Sequence, residues 1–256
     1  SLKQRFFNSL LCAAKAPTLI SAIESDLAAG KACVIQLVST NEAMLDRKLT
    51  QTPTGEWGDL RAIDFTSREI IADYMINSFP VYLYTEYVDD NGNNRSEIVK
   101  DEATGEPVVC QEALEMRDRL IEDLSLLPPI TGLLDQLNWH FGHENVAEIT
   151  GRSKRIIFKD DRYQLATRSG SASIAETEAF QGDRKQILIF SSAGGTGRSY
   201  HADLNCHNQR VRRHYLVESG FQAIVAVQGF GRTHRSNQAH PPEVVLVTTN
   251  VKGEYR

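Results

Sequence analysis

The chain has no G-x-x-x-x-G-K-[ST] phosphate loop and no D-E-x-H-type segment. The first absence removes the backbone cradle and lysine that hold nucleotide phosphates, and the second removes the carboxylates that fix Mg2+ and place water. A self-sufficient phosphate-loop enzyme is thereby disfavoured. Cysteine is scarce and scattered: Cys12, Cys33, Cys110 and Cys206 show no C-x-x-C spacing. That fits a reduced, cytoplasmic-type compartment. No apolar run is long enough to span a bilayer, and no secretory signal begins the chain, so no membrane partner is expected. The first residue is Ser1, so an excised domain or processed chain is expected. There is no basic surplus either. The 256 residues carry 28 Lys and Arg against 33 Asp and Glu, a net charge of −5, which argues against a generic nucleic-acid coat.

The charge is unevenly placed. Between Glu86 and Asp123 twelve acids face four bases, whereas between Gly194 and Gln238 six arginines face only Asp203 and Glu218. The C-terminal part can hold anions, and the middle is a solvated face or repels them.

Buried strands alternate with helices along the sequence. Residues 1 to 29 read as helical, with Pro17 starting or kinking a second segment and Gly30 ending it. Ala32 to Val38 and Gln186 to Phe190 are nearly continuous apolar runs of strand length, as in a parallel sheet covered on both faces. Ser39-Thr40 is read as the cap of a helix from Asn41. Further strands are expected at Asn145 to Arg152, closed by a glycine turn, at Val211 to Val217 and at Glu243 to Thr248, with a hairpin over Arg155 to Phe158 and Tyr163 to Thr167. From about Gln51 to Pro129 the pattern loosens around the turn Asp89 to Asn94, and Glu112 to Leu127 returns to helix. The expected fold is α/β: a mostly parallel central sheet flanked by helices, with an inserted acidic α+β segment. The expected divisions are 1–50, 51–130 and 131–256.

Two stretches carry chemistry. Ser191 to Gly197 packs three glycines and three hydroxyl residues after a buried strand, where bare amides and small hydroxyls can approach phosphates. Gln228 to Arg235 places Gly231 before Arg232, with Arg235 three positions on. On a helix the two guanidinium forks would share a face and converge on one anion. An amphipathic helix with two surface arginines is the plainer reading of that stretch alone. Arg210, Arg212 and Arg213 are read as a solvated face or a phosphate-contacting edge. His201, Asp203, Cys206, His207 and His214 crowd together, but their spacing matches no familiar zinc site, so no metal is expected.

The pattern Q-x-x-G-R-x-x-R resembles motif VI of superfamily 2 helicases, and Ser192 to Gly197 through Ala202-Asp203 resembles their motif V. The match narrows with Phe6-Phe7, VIQLVSTNEA (34–43), VAEITGR (146–152), FQGD (180–183) and QGFGRTHRSNQ (228–238). These follow one another as in the strawberry notch family, whose C-terminal helicase domain the chain resembles over nearly its whole length. The glycine-rich turn at Gly194 to Gly197 departs from the animal members and points to a microbial or phage relative.

The resemblance implies the second of two RecA-like domains in an ATP-dependent DNA helicase or translocase, with RNA as the alternative to DNA. ATP and Mg2+ would be held mainly by an N-terminal RecA-like domain of the same protein, the implied partner. Arg232 and Arg235 would be catalytic arginine fingers. Gln228, Gly231, Gly195, Thr196, Gly197 and Asp203 would face nucleotide. Ser39, Thr40, Ser191, Ser192, Arg198 and Arg210 would contact nucleic acid. The location would be cytoplasmic, or nuclear in a eukaryote. The alternative is a catalytically silent RecA-like module that docks protein or DNA.

Overall fold

The computed structural model describes residues 2–38, 40, 42, 46, 50, 67–126, 131–159, 162–191, 197–218, 220 and 222–254. Residues 66–129 form one compact unit, and the flanking segments 3–65 and 130–256 form the other.

In the larger unit the first buried run becomes β1 (Ala32–Leu37), with all six residues buried. It lies at the centre of a five-stranded sheet of order β4-β7-β1-β8-β9. The other strands are β4 (Val146–Ile149), β7 (Ile187–Ser191), β8 (Arg212–Leu216) and β9 (Glu243–Leu246). Every pairing is parallel, which explains why β1 and β7 read as unbroken apolar runs: both faces must be covered.

Alternation along β1 divides the core. Cys33, Ile35 and Leu37 join Leu19, Ile23, Leu137, Ile189 and Tyr215 on one face. That face is covered by α1 (Leu2–Ala14), α2 (Ala16–Ala28) and the later α5 (Leu133–Phe141). Ala32 and Val34 join Ile149, Phe180, Leu188, Phe190 and Tyr200 on the other. There the covering helices are α6 (Ala172–Gln181) and α7 (Ala223–Phe230).

The first helical stretch breaks at Lys15, with a proline in the first turn of α2. The break lets the buried Lys15 ammonium donate to Val217 O at 2.8 Å and pair with Glu254 at 2.6 Å. The hairpin β5 (Lys154–Lys159) with β6 (Arg162–Thr167) forms as expected between β4 and α6. The expected helix from Asn41 lies mostly outside the described residues.

The smaller unit holds α3 (Ser67–Ser78), the antiparallel pair β2 (Tyr84–Val88) and β3 (Asn94–Ile98), and α4 (Gln111–Leu126). Asp89 makes the turn: its carboxylate accepts the amides of Asn91 and Asn93 at 3.0 and 2.9 Å, and Gly92 adopts φ +79°. A left-handed φ is what glycine supplies there without steric cost.

Candidate functional site

In a parallel sheet the loops leave from the C-terminal strand ends, and ligands gather at that edge. Here Ser191 closes β7, Thr150 follows β4, and α7 delivers the arginine segment back across β1. Helix α7 lies close on the sheet because of Gly229. A Cβ at that position would sit 2.0 Å from Gln36 Oε1 of β1. The close approach of helix and strand therefore depends on Gly229, two residues before Gly231.

The arginines do not share a helical face. Helix α7 ends at Phe230 and the chain continues in turns. Tertiary bonding favours the turns: Arg232 O accepts the Tyr200 amide at 2.6 Å, which a continuing helix would have used locally. Arg232 turns inward, with Nη1 donating to Arg198 O at 2.9 Å and its guanidinium 6.0 Å from the Phe190 ring. Arg235 is exposed, and its Nε donates back to Gly231 O at 2.9 Å. That bond orients the fork, and its two Nη groups have no partner among the described residues.

A buried polar relay holds this segment. Thr233 is fully buried, and its Oγ1 lies 2.7 Å from His214 Nδ1; His214 Nε2 lies 3.1 Å from Gln36 Oε1. The Gln36 amide nitrogen faces Val225 O at 3.5 Å, so Oε1 is the atom turned to the imidazole. His214 Nε2–H therefore donates to Gln36, and the one Thr233 hydroxyl proton goes to the nearer Nδ1 at 2.7 Å over Phe230 O at 3.2 Å. Burial pushes the His214 pKa down to about 4, and the ring is neutral.

This relay has a pH signature. Unfolded, the imidazole takes its proton near 6.5; folded, it resists until about 4. The unfolded chain binds more protons between those values, so stability is whole above about 6.5 and falls as pH drops towards 4. The loss is about 3 kcal/mol at completion. Denaturant midpoints measured from pH 7 to 4.5 should show this slope, and His214→Gln should flatten it. An unchanged slope in that variant would remove His214 as the cause.

The segment that resembles motif V is described only in part. Ser192, Gly195 and Thr196 lie outside the described residues, as does Ser39. Gly197 adopts φ +74° with open space at its Cβ position, so backbone conformation and not crowding demands glycine. Arg198 Nη1 donates to Ser173 O at 3.1 Å and is 3.4 Å from Thr177 Oγ1, pinning the loop's exit to α6. Asp203 latches the two stretches together, accepting Asn205 N at 2.9 Å and Asn237 Nδ2 at 3.0 Å, beside His201 at 3.1 Å. These amides hold its carboxyl below the usual range. Among the described residues no three metal-type ligands converge.

Ser191 Oγ and Tyr200 OH are buried at this edge without hydrogen-bond partners among the described residues. Burial pushes the Tyr200 phenol up to about 12 against the pull of Arg232 and Arg198. Gln228 is exposed on α7, and Thr40 is half-buried beyond β1.

Two arginine readings are corrected. Arg210 precedes β8, at the opposite edge of the sheet. It clasps Asp183 at 2.8 to 3.1 Å and donates to Gly30 O at 3.1 Å. It ties loops together where strands begin. Arg212 is neither solvated nor on a phosphate-contacting edge, because it is fully buried in β8.

A polar cavity of about 300 Å³ opens at the end of β4. It lies between the Thr150–Ser153 turn, Arg168 to Gly170 before α6, Ser173 and Arg198. Three arginines and several hydroxyls facing one cavity suit an anion such as a backbone phosphate. The fully buried Glu148 organises it, pairing with Arg152 at 2.6 Å and Arg168 at 3.3 Å and accepting Thr150 Oγ1 at 2.6 Å. Burial alone would raise the Glu148 carboxyl, but Arg152 and then Arg168 outweigh it and hold it at about 2. The sequence reading missed this cavity. Its signal was the acid inside VAEITGR: a glutamate in a buried strand must be paired.

Residues 132–256 match the family described as the C-terminal domain on strawberry notch homologues. The chain is 29% identical to rat strawberry notch homolog 1 over an alignment covering all of this chain and 25% of that protein. It is 40% identical to the chicken homolog 1 over 57% of this chain and 12% of that one. It is 36% identical to FORGETTER 1 of Arabidopsis thaliana over 57% of this chain and 12% of that protein. The chain thus spans a quarter or less of the length of these relatives. No solved structure matches it. Residues 132–256 thus carry the helicase-type C-terminal domain of the strawberry notch family, and the parallel α/β sheet to which they contribute is RecA-like.

Proposed function

We propose that this chain is the C-terminal half of an ATP-dependent DNA helicase or translocase, completing a nucleotide site whose phosphate loop lies in an N-terminal RecA-like domain. The observation that supports this most is Arg235. Its fork is exposed, oriented by its own backbone bond and left with two donor groups turned to no partner among the described residues. Such a group fits the terminal phosphate of a nucleotide presented by another domain. The nucleotide, when bound with Mg2+, supplies the transferable phosphoryl group. Arg235 then lies where its two parallel donors neutralise charge that grows in the transition state.

Arg232 acts beside it and joins the two motifs: its guanidinium and carbonyl both grip the 198–200 segment. Movement at the nucleotide would pass through that grip to Arg198, and from Arg198 to α6 and the polar cavity. Nucleic acid is the ligand proposed for that cavity, with Arg168, Arg198 and Ser153 on its phosphates. Thr40 and Ser191 lie at the ends of neighbouring strands. The larger unit's arginine-rich edge favours such a ligand.

The proposal has a direct consequence for the chain by itself. With no phosphate loop and no Mg2+ carboxylates in its sequence, the purified 256-residue chain should show no ATP hydrolysis above background, with or without DNA. A phosphate-release assay decides this. Turnover that co-purifies with the chain and disappears in Arg235→Ala would mean that the site is complete here.

A further inference from the structure

We propose that residues 67–126 dock a basic, apolar segment of another protein, which completes a core that this unit lacks. Among the described side chains of this stretch none is buried, although its backbone is ordered by hydrogen bonds. Leu83 N donates to Val108 O, Val108 N to Val99 O and Val99 N to Leu83 O, all at 2.8 to 2.9 Å, so three extended segments close on one another. Small units survive by burying a large share of their surface, and a two-stranded hairpin alone is marginal.

Leu83 and Tyr87 are exposed at the odd positions of the hairpin, and a longer row of exposed apolar groups occupies the even ones. Tyr82, Tyr84 and Val88 fall at alternate positions and so share one face of the hairpin. Val109 lies opposite Tyr82, and Ile98 opposite Tyr84. Tyr84 is 49% exposed and Val88 65%. On α4, Met116 and Leu120 stand one turn apart and are exposed as well. Exposed apolar side chains on both the hairpin and the helix are of the kind that marks a contact site in a soluble protein.

Charge selects the occupant. The stretch carries fourteen acids and five bases, a net charge of −9. Nucleic acid and anionic lipid are repelled by that field, and a second copy would set −9 against −9. A segment with leucine-type anchors flanked by Lys or Arg satisfies both the apolar row and the acids around it, among them Glu86, Glu112, Glu115 and Asp123.

The test uses the full chain and a fluorescent amphipathic helix of leucine and lysine, about eighteen residues long. Two companions share its length: one with every Lys replaced by Glu, the other with every Leu replaced by Ser. The Leu/Lys peptide should bind, and the other two should bind about tenfold more weakly or not at all. Binding should slow amide exchange over residues 81–126. The paired changes Tyr84→Ser with Val88→Ser, and Met116→Ser with Leu120→Ser, keep the charge and alter exposed positions. Each pair should weaken binding by about tenfold, with circular dichroism unchanged.

Equal binding of the Lys/Ser peptide would reduce the surface to an electrostatic one and overturn the proposal. So would wild-type affinity in both paired variants, or no binding of the Leu/Lys peptide. Self-association of the free chain, abolished by the same serine changes, would make a second copy the occupant. Amide protection of 81–126 by an oligonucleotide would make it nucleic acid. Either result also contradicts the proposal.

Discussion

Arg235→Ala in the intact protein is expected to lower the ATPase rate constant by about three to five orders of magnitude, the range that arginine fingers supply in phosphoryl transfer. ATP affinity should change little, because on the proposed reading the group acts on charge that develops only in the transition state. Its side chain is exposed and its one described bond is to its own turn, so the fold survives the change. Arg235→Lys should rescue poorly, since an ammonium cannot reproduce two parallel donors held in a plane. Arg232→Ala should also lower the rate, but it releases the Arg198 carbonyl and loosens the 198–200 segment. It therefore costs stability that Arg235→Ala does not. Paired kinetic and unfolding measurements separate the two roles. If both substitutions left turnover intact while abolishing a protein or DNA contact, the chain would be a docking module.

The largest structural loss is expected at Arg212. Its guanidinium is fully buried over the Phe180 ring, at 5.0 Å, and among the described residues no carboxylate pairs with it. Instead it donates to Tyr200 O, Asn208 Oδ1, Asn208 O, Arg210 O, Gln181 Oε1 and His201 O, at 2.7 to 3.3 Å. Burial pulls its pKa down to about 10, which leaves it charged at neutral pH. Arg212→Met removes the buried charge but strands the acceptors of the loop that connects β7 to β8. A loss of about 3–5 kcal/mol is expected, the cost of breaking a buried charged network from one side. Denaturant unfolding checks it, and a loss below about 1 kcal/mol would show that water or relaxation satisfies those carbonyls. Arg212→Lys should recover only part of the loss, because three donors cannot reach six acceptors.

How legible this was in the sequence follows from where each partner sits along the chain. β1 and β7 were readable because burial on both faces writes an apolar run into adjacent residues. The hairpin β5–β6 was readable for the same local reason. The end of α7 was not. Gly231 is compatible with a helix, and what ends α7 is a bond from Tyr200, about thirty positions earlier. Arg212 read as surface because R-V-R-R-H-Y-L looks like a charged strand end. Its burial depends on acceptors between Gln181 and Arg210 that no local pattern announces. Arg210 failed in the same way, its partner being Asp183. The arginine cavity gathers residues from Thr150 to Arg198, so its convergence exists only in three dimensions. The motif resemblance singled out Arg232 and Arg235 but said nothing of which points inward.

The most direct measurement is the affinity of the intact protein for ADP with aluminium fluoride, a mimic of the transferring phosphoryl group, compared with ADP alone. If Arg235 meets that group, Arg235→Ala weakens the mimic by about a hundredfold or more and leaves ADP unchanged. Equal affinities of wild type and variant for both ligands would contradict the account, as would an equal loss for both.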